Sequence, residues 1–384
     1  VEGKMKAHIA LLIHDLRCGG AELVASTLAA GLRERGYRIT LITLRAQEPP
    51  FYPISQGVEM ISLGVSEGGR SPVGRLLRTY RGMRALKNAL KGCRPDVLIG
   101  FMTESNVLGA AATRIFGRWP CALVGTEHIH PEMTPLKGIA TLARHLTFPF
   151  LDALVPVSES LASWYRRRFS NLPVITIPNP LVIAGRPEDA EAEELARSMF
   201  GERWILAMGR LHEQKGHDLL LEAFARLPQD ERAGWQIGIL GEGPQRPDLE
   251  RRIAELGLTG SAHLFGVLQN PYPVLKAGEF FALSSRYEGF AIALAEAMAC
   301  GLPAVAFDCP SGPGEIVRDG VDGLLVPAGD VAGLAEAMSR MMHDAELRGR
   351  LSLRAPEVAR RFSRKKFLDR WEDLLELIKR PSGR

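Results

Sequence analysis

The chain has 384 residues, of which 46% are hydrophobic and 24% charged. That balance excludes a disordered chain and allows two or three domains of ordinary size. The formal net charge of +4 is too mild to argue for nucleic-acid binding, yet it permits a basic patch facing phosphates or an anionic membrane.

The cysteines Cys18, Cys93, Cys121, Cys300 and Cys309 are odd in number and form no C-x-x-C pair. They read as free thiols in a reducing compartment, not as a disulfide frame or a zinc site. No apolar run reaches the roughly 18 residues of a membrane span. The longest candidate, Leu146 to Val157, is shorter and contains Asp152. The apolar run Ile9 to Ile13 is strand-sized and does not read as a secretion signal. The expected location is cytoplasmic.

In chain order, a strand at Ala7 to Ile13 leads into the glycine turn Cys18-Gly19-Gly20 and a helix from Ala21 to about Arg35. Short β-branched runs then alternate with amphipathic stretches: Arg38 to Leu44, Val58 to Leu63, Asp96 to Gly100, Cys121 to Gly125, Ala153 to Val157 and Val174 to Ile177. Pro178, Asn179, Pro180, Gly185 and Pro187 punctuate a break, and Ala190 to Met199 reads as an acidic surface helix. The grammar restarts at Trp204 to Met208, with Gly209-Arg210 and a helix from about His217. Further strands are expected at Gln236 to Leu240, Ala262 to Phe265, Glu279 to Leu283, Ala304 to Phe307 and Gly323 to Val326. Strands alternating with helices predict an α/β chain of two doubly wound, Rossmann-like domains with parallel sheets, 1–180 and 181–362, facing each other across a cleft. The last helix, Phe362 to Lys379, has no strand after it and is expected to return to the first domain, which then includes 363–384.

Ligands in such sheets sit beyond the carboxyl ends of the strands, where the punctuated turns fall. Gly19 and Gly20 open a helix, so the turn is either an anion site at the helix N-terminus or a plain tight turn. Gly209-Arg210-Leu-His-Glu-Gln-Lys215-Gly216 places a forked cation and a flexible one around a strand-to-helix turn. The competing reading is two solvated surface cations. It is not a phosphate loop of the Walker type.

The run Glu288-Gly-Phe-Ala-Ile-Ala-Leu-Ala-Glu296 reads as a helix starting near Phe290, with the amides of Phe290, Ala291 and Ile292 unpaired. Its two carboxylates are eight positions apart, about 12 Å or less along a helix axis. A carboxylate accepts two hydrogen bonds from vicinal hydroxyls. Two of them with cations and bare amides between match a ligand with hydroxyls at both ends and phosphates in the middle, as in a nucleotide sugar. The alternative is a dipole-complementing Glu288 and a solvent-facing Glu296. His128, directly after a strand, either reaches a reacting sugar or is structural. The turn Cys309 to Glu315 offers backbone contacts or a helix cap served by Ser311. No Asp-x-Asp pair or His/Cys cluster indicates a metal, so none is expected.

Two segments bear on partners. Arg75, Arg78, Arg81, Arg84, Lys87 and Lys91 decorate one helical stretch whose apolar face is Leu76, Met83, Leu86 and Leu90. Trp164-Tyr-Arg-Arg-Arg-Phe169 joins aromatics to cations. Both suit an anionic membrane, and both are equally read as solvated helix surface.

These motifs together resemble retaining glycosyltransferases of family 4, whose fold is GT-B. The likeness is carried by Glu288-Gly-Phe through Glu296-Ala-Met-Ala-Cys-Gly-Leu-Pro303, Phe307 to Ile316, Asp319 to Pro327, Gly209-Arg210 with Lys215-Gly216, and Gly19-Gly20-Ala-Glu22. It is dense in the second half and sparse in the first. The resemblance implies that Arg210 and Lys215 bind the donor diphosphate and that Glu296 holds the ribose. Glu288 with the backbone of Gly289, Phe290, Ala291 and Ile292 would hold the donor sugar. Val267 would meet the base through its backbone, Gly19 and Gly20 would approach the phosphates, and His128 would contact the sugar near the reacting carbon. It further implies a metal-independent, retaining enzyme without cofactor. The expected activity moves a hexose or N-acetylhexosamine from a UDP-sugar to a lipid-linked or lipopolysaccharide-type glycan at the cytoplasmic face of the inner membrane. Ala291 departs from the proline or glycine of many relatives, which leaves the sugar open. A small soluble acceptor and a non-catalytic binding subunit are the rival readings.

Overall fold

Two six-stranded parallel sheets, one in each of two units, organise the chain. The computed structural model describes residues 6–17, 19–45, 49–65, 72–117, 119–133, 138–183, 190–199 and 201–379, with no side-chain description at 72, 73, 75–77 and 379. One unit comprises Val1–Pro180 with Lys365–Arg384, the other Leu181–Arg364.

The first unit runs β1 (His8–Ile13), α1 (Gly20–Glu34), β2 (Arg38–Thr43), β3 (Glu59–Ser62), α2 (Pro72–Cys93), β4 (Val97–Phe101), α3 (Met102–Ala110), β5 (Ala122–Glu127), α4 (Ile139–Thr147), β6 (Ala153–Pro156) and α5 (Glu159–Arg168). Its strand order is β3-β2-β1-β4-β5-β6, all parallel. β1 and β4 are buried along their whole length. Their unbroken apolar sequence is what helices on both faces of a parallel sheet demand. The run Val174 to Ile177 is not a strand. It makes one isolated bridge, Val174 to Leu154; the Ile175 and Ile177 amides donate to the Leu154 and Pro156 carbonyls, but Pro156 has no N–H to give in return.

The second unit contains α6 (Ala190–Ser198), β7 (Arg203–Met208), α7 (His217–Arg226), β8 (Trp235–Leu240), β9 (Ala262–Gly266), α8 (Tyr272–Lys276), β10 (Phe280–Leu283), α9 (Ile292–Ala299), β11 (Ala304–Asp308), α10 (Pro313–Ile316) and β12 (Gly323–Pro327). Its order is β12-β11-β10-β7-β8-β9, again parallel. α6 is less of a surface bridge than its charge implies, because Ala192 and Met199 are buried.

The closing helix α11 (Arg364–Lys379) belongs almost wholly to the first unit. It buries Phe367, Leu368, Trp371, Leu374 and Leu375. Leu368 lies so close to α1 that a Cβ on Gly31 would stand 2.4 Å from its methyls, so a larger residue there would displace Leu368. The guanidinium of Arg35 ties the two helices, at 2.6 Å from Glu372 and 2.7 Å from Asp369.

In each sheet the strand order reverses beside the first strand of the unit, between β1 and β4 and between β7 and β10. These are the switch points at which open α/β sheets hold ligands.

Candidate functional site

In the second unit the loops after β7 and β10 meet at the switch point. The β7 loop turns through the short helical segment Glu213–Lys215 into α7. Several bonds stitch it to the β10 loop. The amide of Arg286 donates to the Gln214 carbonyl at 2.8 Å, and Gln214 Nε2 donates to the Tyr287 carbonyl at 3.2 Å. Arg286 forks onto Asp218 at 2.9 and 2.7 Å. Gly216 is forced by this closeness. Its φ is +61°, and a Cβ there would stand 2.1 Å from the Ser284 carbonyl oxygen.

The stitching brings Lys215 onto Glu288. Lys215 Nζ lies 2.6 Å from Glu288 Oε1, and Ser285 Oγ donates to the same oxygen at 2.6 Å. Glu288 is buried and Lys215 nearly so. The two groups, assigned to separate parts of a ligand from sequence, form one ion pair. Arg210, by contrast, is exposed and has no side-chain partner among the described residues.

The helix after Glu288 starts later than expected. α9 begins at Ile292, and the Ile292 amide donates to the Phe290 carbonyl at 2.9 Å, so it is not a free donor. The 1.5 Å rise per residue therefore applies only from Ile292 to Glu296. Gly289, Phe290 and Ala291 form a buried loop, with the Phe290 ring turned against Phe362 at 5.0 Å. The loop after β11 backs it: the Glu288 amide donates to the Pro310 carbonyl at 3.2 Å. Ser311, at φ +67°, is a strained non-glycine residue in that loop. It does not cap α10, whose N-cap is Gly312 without a side-chain bond.

Glu296 is buried, which removes the solvent-facing alternative. The Tyr272 hydroxyl on α8 lies 3.3 Å from its Oε1 and 2.9 Å from the Val182 carbonyl. Val267 is half exposed just past β9. Tyr272 and His217 were not singled out from sequence. His217 begins α7, both its ring nitrogens lack hydrogen-bond partners, and burial with help from Lys215 pushes its pKa down to about 4. It is a neutral imidazole beside the candidate phosphate site. Its only sequence signal was its place directly after Lys215-Gly216.

In the first unit, Gly19 is extended and α1 starts at Gly20. The Glu22 carboxylate folds back over that start, 2.2 Å from where a Gly19 Cβ would stand. Cys18 lies outside the described residues. Across the switch point, Met102 takes φ +70°, a second strained position. Glu104 sits 3.1 Å from His14, whose hydrogen bond holds the carboxyl below its usual range.

His128, just past β5, is buried, bonded through Nε2 to Thr126 at 3.1 Å, and stacked 5.8 Å from Phe101. Its Nδ1 has no partner, and burial pushes its pKa down to about 4. Its neighbour Glu127 accepts from Thr103 at 2.8 Å and Asn106 at 2.9 Å. Burial outweighs these bonds and pushes Glu127 up to about 7.

The two partner segments come out differently. In α2, Leu86 and Leu90 are core and Arg81, Arg84 and Lys91 face out, while the side chains of Arg75 and Leu76 lie outside the described residues. This is an ordinary amphipathic helix where described. Of Trp164 to Phe169, at the end of α5, Trp164, Tyr165 and Phe169 are buried and Arg166, Arg167 and Arg168 face outward. The expected pairing of exposed aromatics with cations is absent, because those rings fill the gap against Phe148. No described helix is long and apolar enough to cross a membrane. No metal-ligating group of three or more His, Cys, Asp or Glu side chains occurs among the described residues.

Comparison with known proteins agrees with this architecture. Residues 18–183 match Glycosyltransferase Family 4 and residues 189–358 match Glycosyl transferases group 1. The chain is 31% identical to an exopolysaccharide phosphotransferase of Streptomyces coelicolor over 94% of its own length, spanning 40% of that relative. It is 28% identical to the N-acetylgalactosamine-N,N'-diacetylbacillosaminyl-diphospho-undecaprenol 4-alpha-N-acetylgalactosaminyltransferase of Campylobacter jejuni, covering 93% of this chain and 96% of that one. Among solved structures, Anabaena HepE in complex with UDP and glucose superposes with a TM-score of 0.76 at 20% identity, covering 96% of this chain and 99% of the other. The chain belongs to the family 4 glycosyltransferases and has their GT-B fold. It is a glycosyltransferase enzyme.

Proposed function

We propose that this enzyme moves a hexose or N-acetylhexosamine from a UDP-sugar, with retention of anomeric configuration, to a lipid-linked or lipopolysaccharide-type glycan. The observation that carries the donor reading is the pair of buried carboxylates flanking the second-unit switch point, Glu288 held by Lys215 and Glu296 beside Tyr272. A buried carboxylate is costly unless something bonds it. An ammonium has three donors, so Lys215 can keep Glu288 and still reach a phosphate oxygen. The exposed Arg210 guanidinium supplies the forked contact for the rest of the diphosphate. Each well-placed donor contributes about 3 kcal/mol to stabilising the leaving group. Glu296 accepts from the ribose hydroxyls, and the backbone of Gly289 to Ala291 with Glu288 lines the sugar. Neutral His128 offers an unpartnered ring nitrogen for a sugar hydroxyl. HepE, of the same fold, holds UDP and glucose, and the Campylobacter relative acts on a diphospho-undecaprenol glycan, which supports both substrate classes. Retention rests on the family resemblance.

The test is the melting shift produced by UDP, GDP and ADP on the parent and on Glu296→Ala. Ligand at a hundredfold its Kd stabilises by about 2.7 kcal/mol. A UDP-selective shift absent from the variant supports the assignment. No shift, or an equal shift in both proteins, removes Glu296 as the ribose ligand. Transfer from a UDP-sugar panel to polyprenyl-diphosphate glycans, with the product anomer read by NMR, then tests acceptor and stereochemistry.

A further inference from the structure

α4 is amphipathic with its faces reversed. Its buried side chains are Arg144 and Thr147, while Ile139, Leu142 and Leu146 are 81, 57 and 58% exposed. Phe150, one turn further, is 46% exposed. Positions i, i+3 and i+7 lie on one face, so Ile139, Leu142 and Leu146 form an apolar stripe, with Phe150 in the short 3-10 turn that follows. The inward polar residues have neighbours, although Arg144 Nε has no hydrogen-bond partner among the described residues. Arg144 stacks 5.1 Å from the Trp164 ring and acts electrostatically on Glu127, and Thr147 donates to the Ala143 carbonyl at 2.8 Å. The stacking on Trp164 holds the polar side of α4 inward.

The end of α5 packs against α4 through residues outside the stripe. His145 of α4 lies 5.7 Å from the Phe169 ring, and Arg168 stacks 5.0 Å from the same Trp164 ring as Arg144. Arg167 and Arg168 are exposed and pair with no carboxylate among the described residues. No Asp or Glu occurs in the sequence between Glu132 and Asp152. An exposed apolar stripe with an unpaired cationic flank matches an anionic bilayer interface. A second copy fits less well, because a two-fold contact through the stripe would bring the arginines of both copies together.

We infer that α4 is a membrane-docking helix: Ile139, Leu142, Leu146 and Phe150 bed into the interface of an anionic bilayer, and Arg167 and Arg168 hold its headgroups. This goes beyond the transfer reaction and does not depend on it. The apolar stripe replaces the buried aromatics of α5 as the hydrophobic half of the contact.

The experiment is flotation of the full chain with phosphatidylcholine vesicles, with and without phosphatidylglycerol, without donor or acceptor. The parent floats with phosphatidylglycerol vesicles. Ile139→Gln/Leu142→Gln/Leu146→Gln loses on the order of tenfold or more in partitioning. Its circular dichroism and melting temperature stay those of the parent, because the three side chains are exposed. Arg167→Gln/Arg168→Gln loses roughly fivefold per arginine on anionic vesicles only. A parent that binds neither vesicle, or an apolar variant that floats as well as the parent, overturns the inference. So does a parent that is dimeric in solution and made monomeric by the apolar variant, which assigns the stripe to a second copy. None of these outcomes bears on UDP binding, so the donor reading stands or falls separately.

Discussion

Lys215 and Glu288 depend on each other. Removing one partner of a buried pair leaves the other charge uncompensated, which costs about 3 kcal/mol or more. Lys215→Ala is expected to destabilise by about that amount and to abolish the UDP shift. Glu288→Gln, which keeps an acceptor for Lys215 and Ser285, should melt closer to the parent while losing transfer. Urea melts of the two variants check this, and equal destabilisation would contradict the pairing. Gly216→Ala places a methyl on the Ser284 carbonyl at a positive φ and should cost several kcal/mol, read the same way.

Glu127 and His128 titrate in opposite senses. Glu127 has a native pKa near 7 against an ordinary 4.5. The native state therefore keeps a proton that the unfolded chain releases in that window. Its contribution to stability is complete below about pH 4.5 and is lost as pH rises through about 7. His128 has a native pKa near 4 against an ordinary 6.5, so its contribution is present above about 6.5 and is lost as pH falls through about 4. Glu127→Gln should gain stability on the parent between about pH 5 and 8, measured as melting temperature against pH. Parallel curves would show that Glu127 is ionised throughout.

At the scale of elements, the strands were legible because parallel strands buried on both faces must be apolar throughout. Val174 to Ile177 misled for the same reason: it is largely apolar, but Pro156 opposite it in β6 has no N–H to extend the pairing past one bridge. The start of α9 was misplaced by two residues because Gly289 to Ala291 has helical composition, while contact with the β11 loop holds it as a buried turn. Reversed helices such as α4 defeat pattern reading, since periodicity finds the apolar face without saying which way it points. α11 is expected to be indispensable to the first unit. Trp371 is 1% exposed, and Trp371→Ala should cost about 3 to 5 kcal/mol. A smaller loss would mean that the helix docks loosely.

At the scale of the molecule, each unit has its own sheet and its own core, so calorimetry should separate two transitions. Trp371→Ala should lower the transition of the first unit, and Gly216→Ala and UDP should move that of the second. A single transition shifted alike by all three would mean that the units unfold together. By itself the sequence determined the class, the strand sequence and the candidate carboxylates and cations of the second unit. Glycine spacing, apolar runs and charge at strand ends are local properties, written residue by residue. Tertiary structure decided what those residues touch: that Lys215 meets Glu288, that Tyr272 meets Glu296, that the rings of α5 are core and that the apolar side of α4 faces outward. Those facts depend on which distant loops and helices the sheet brings together, and no local pattern encodes that proximity.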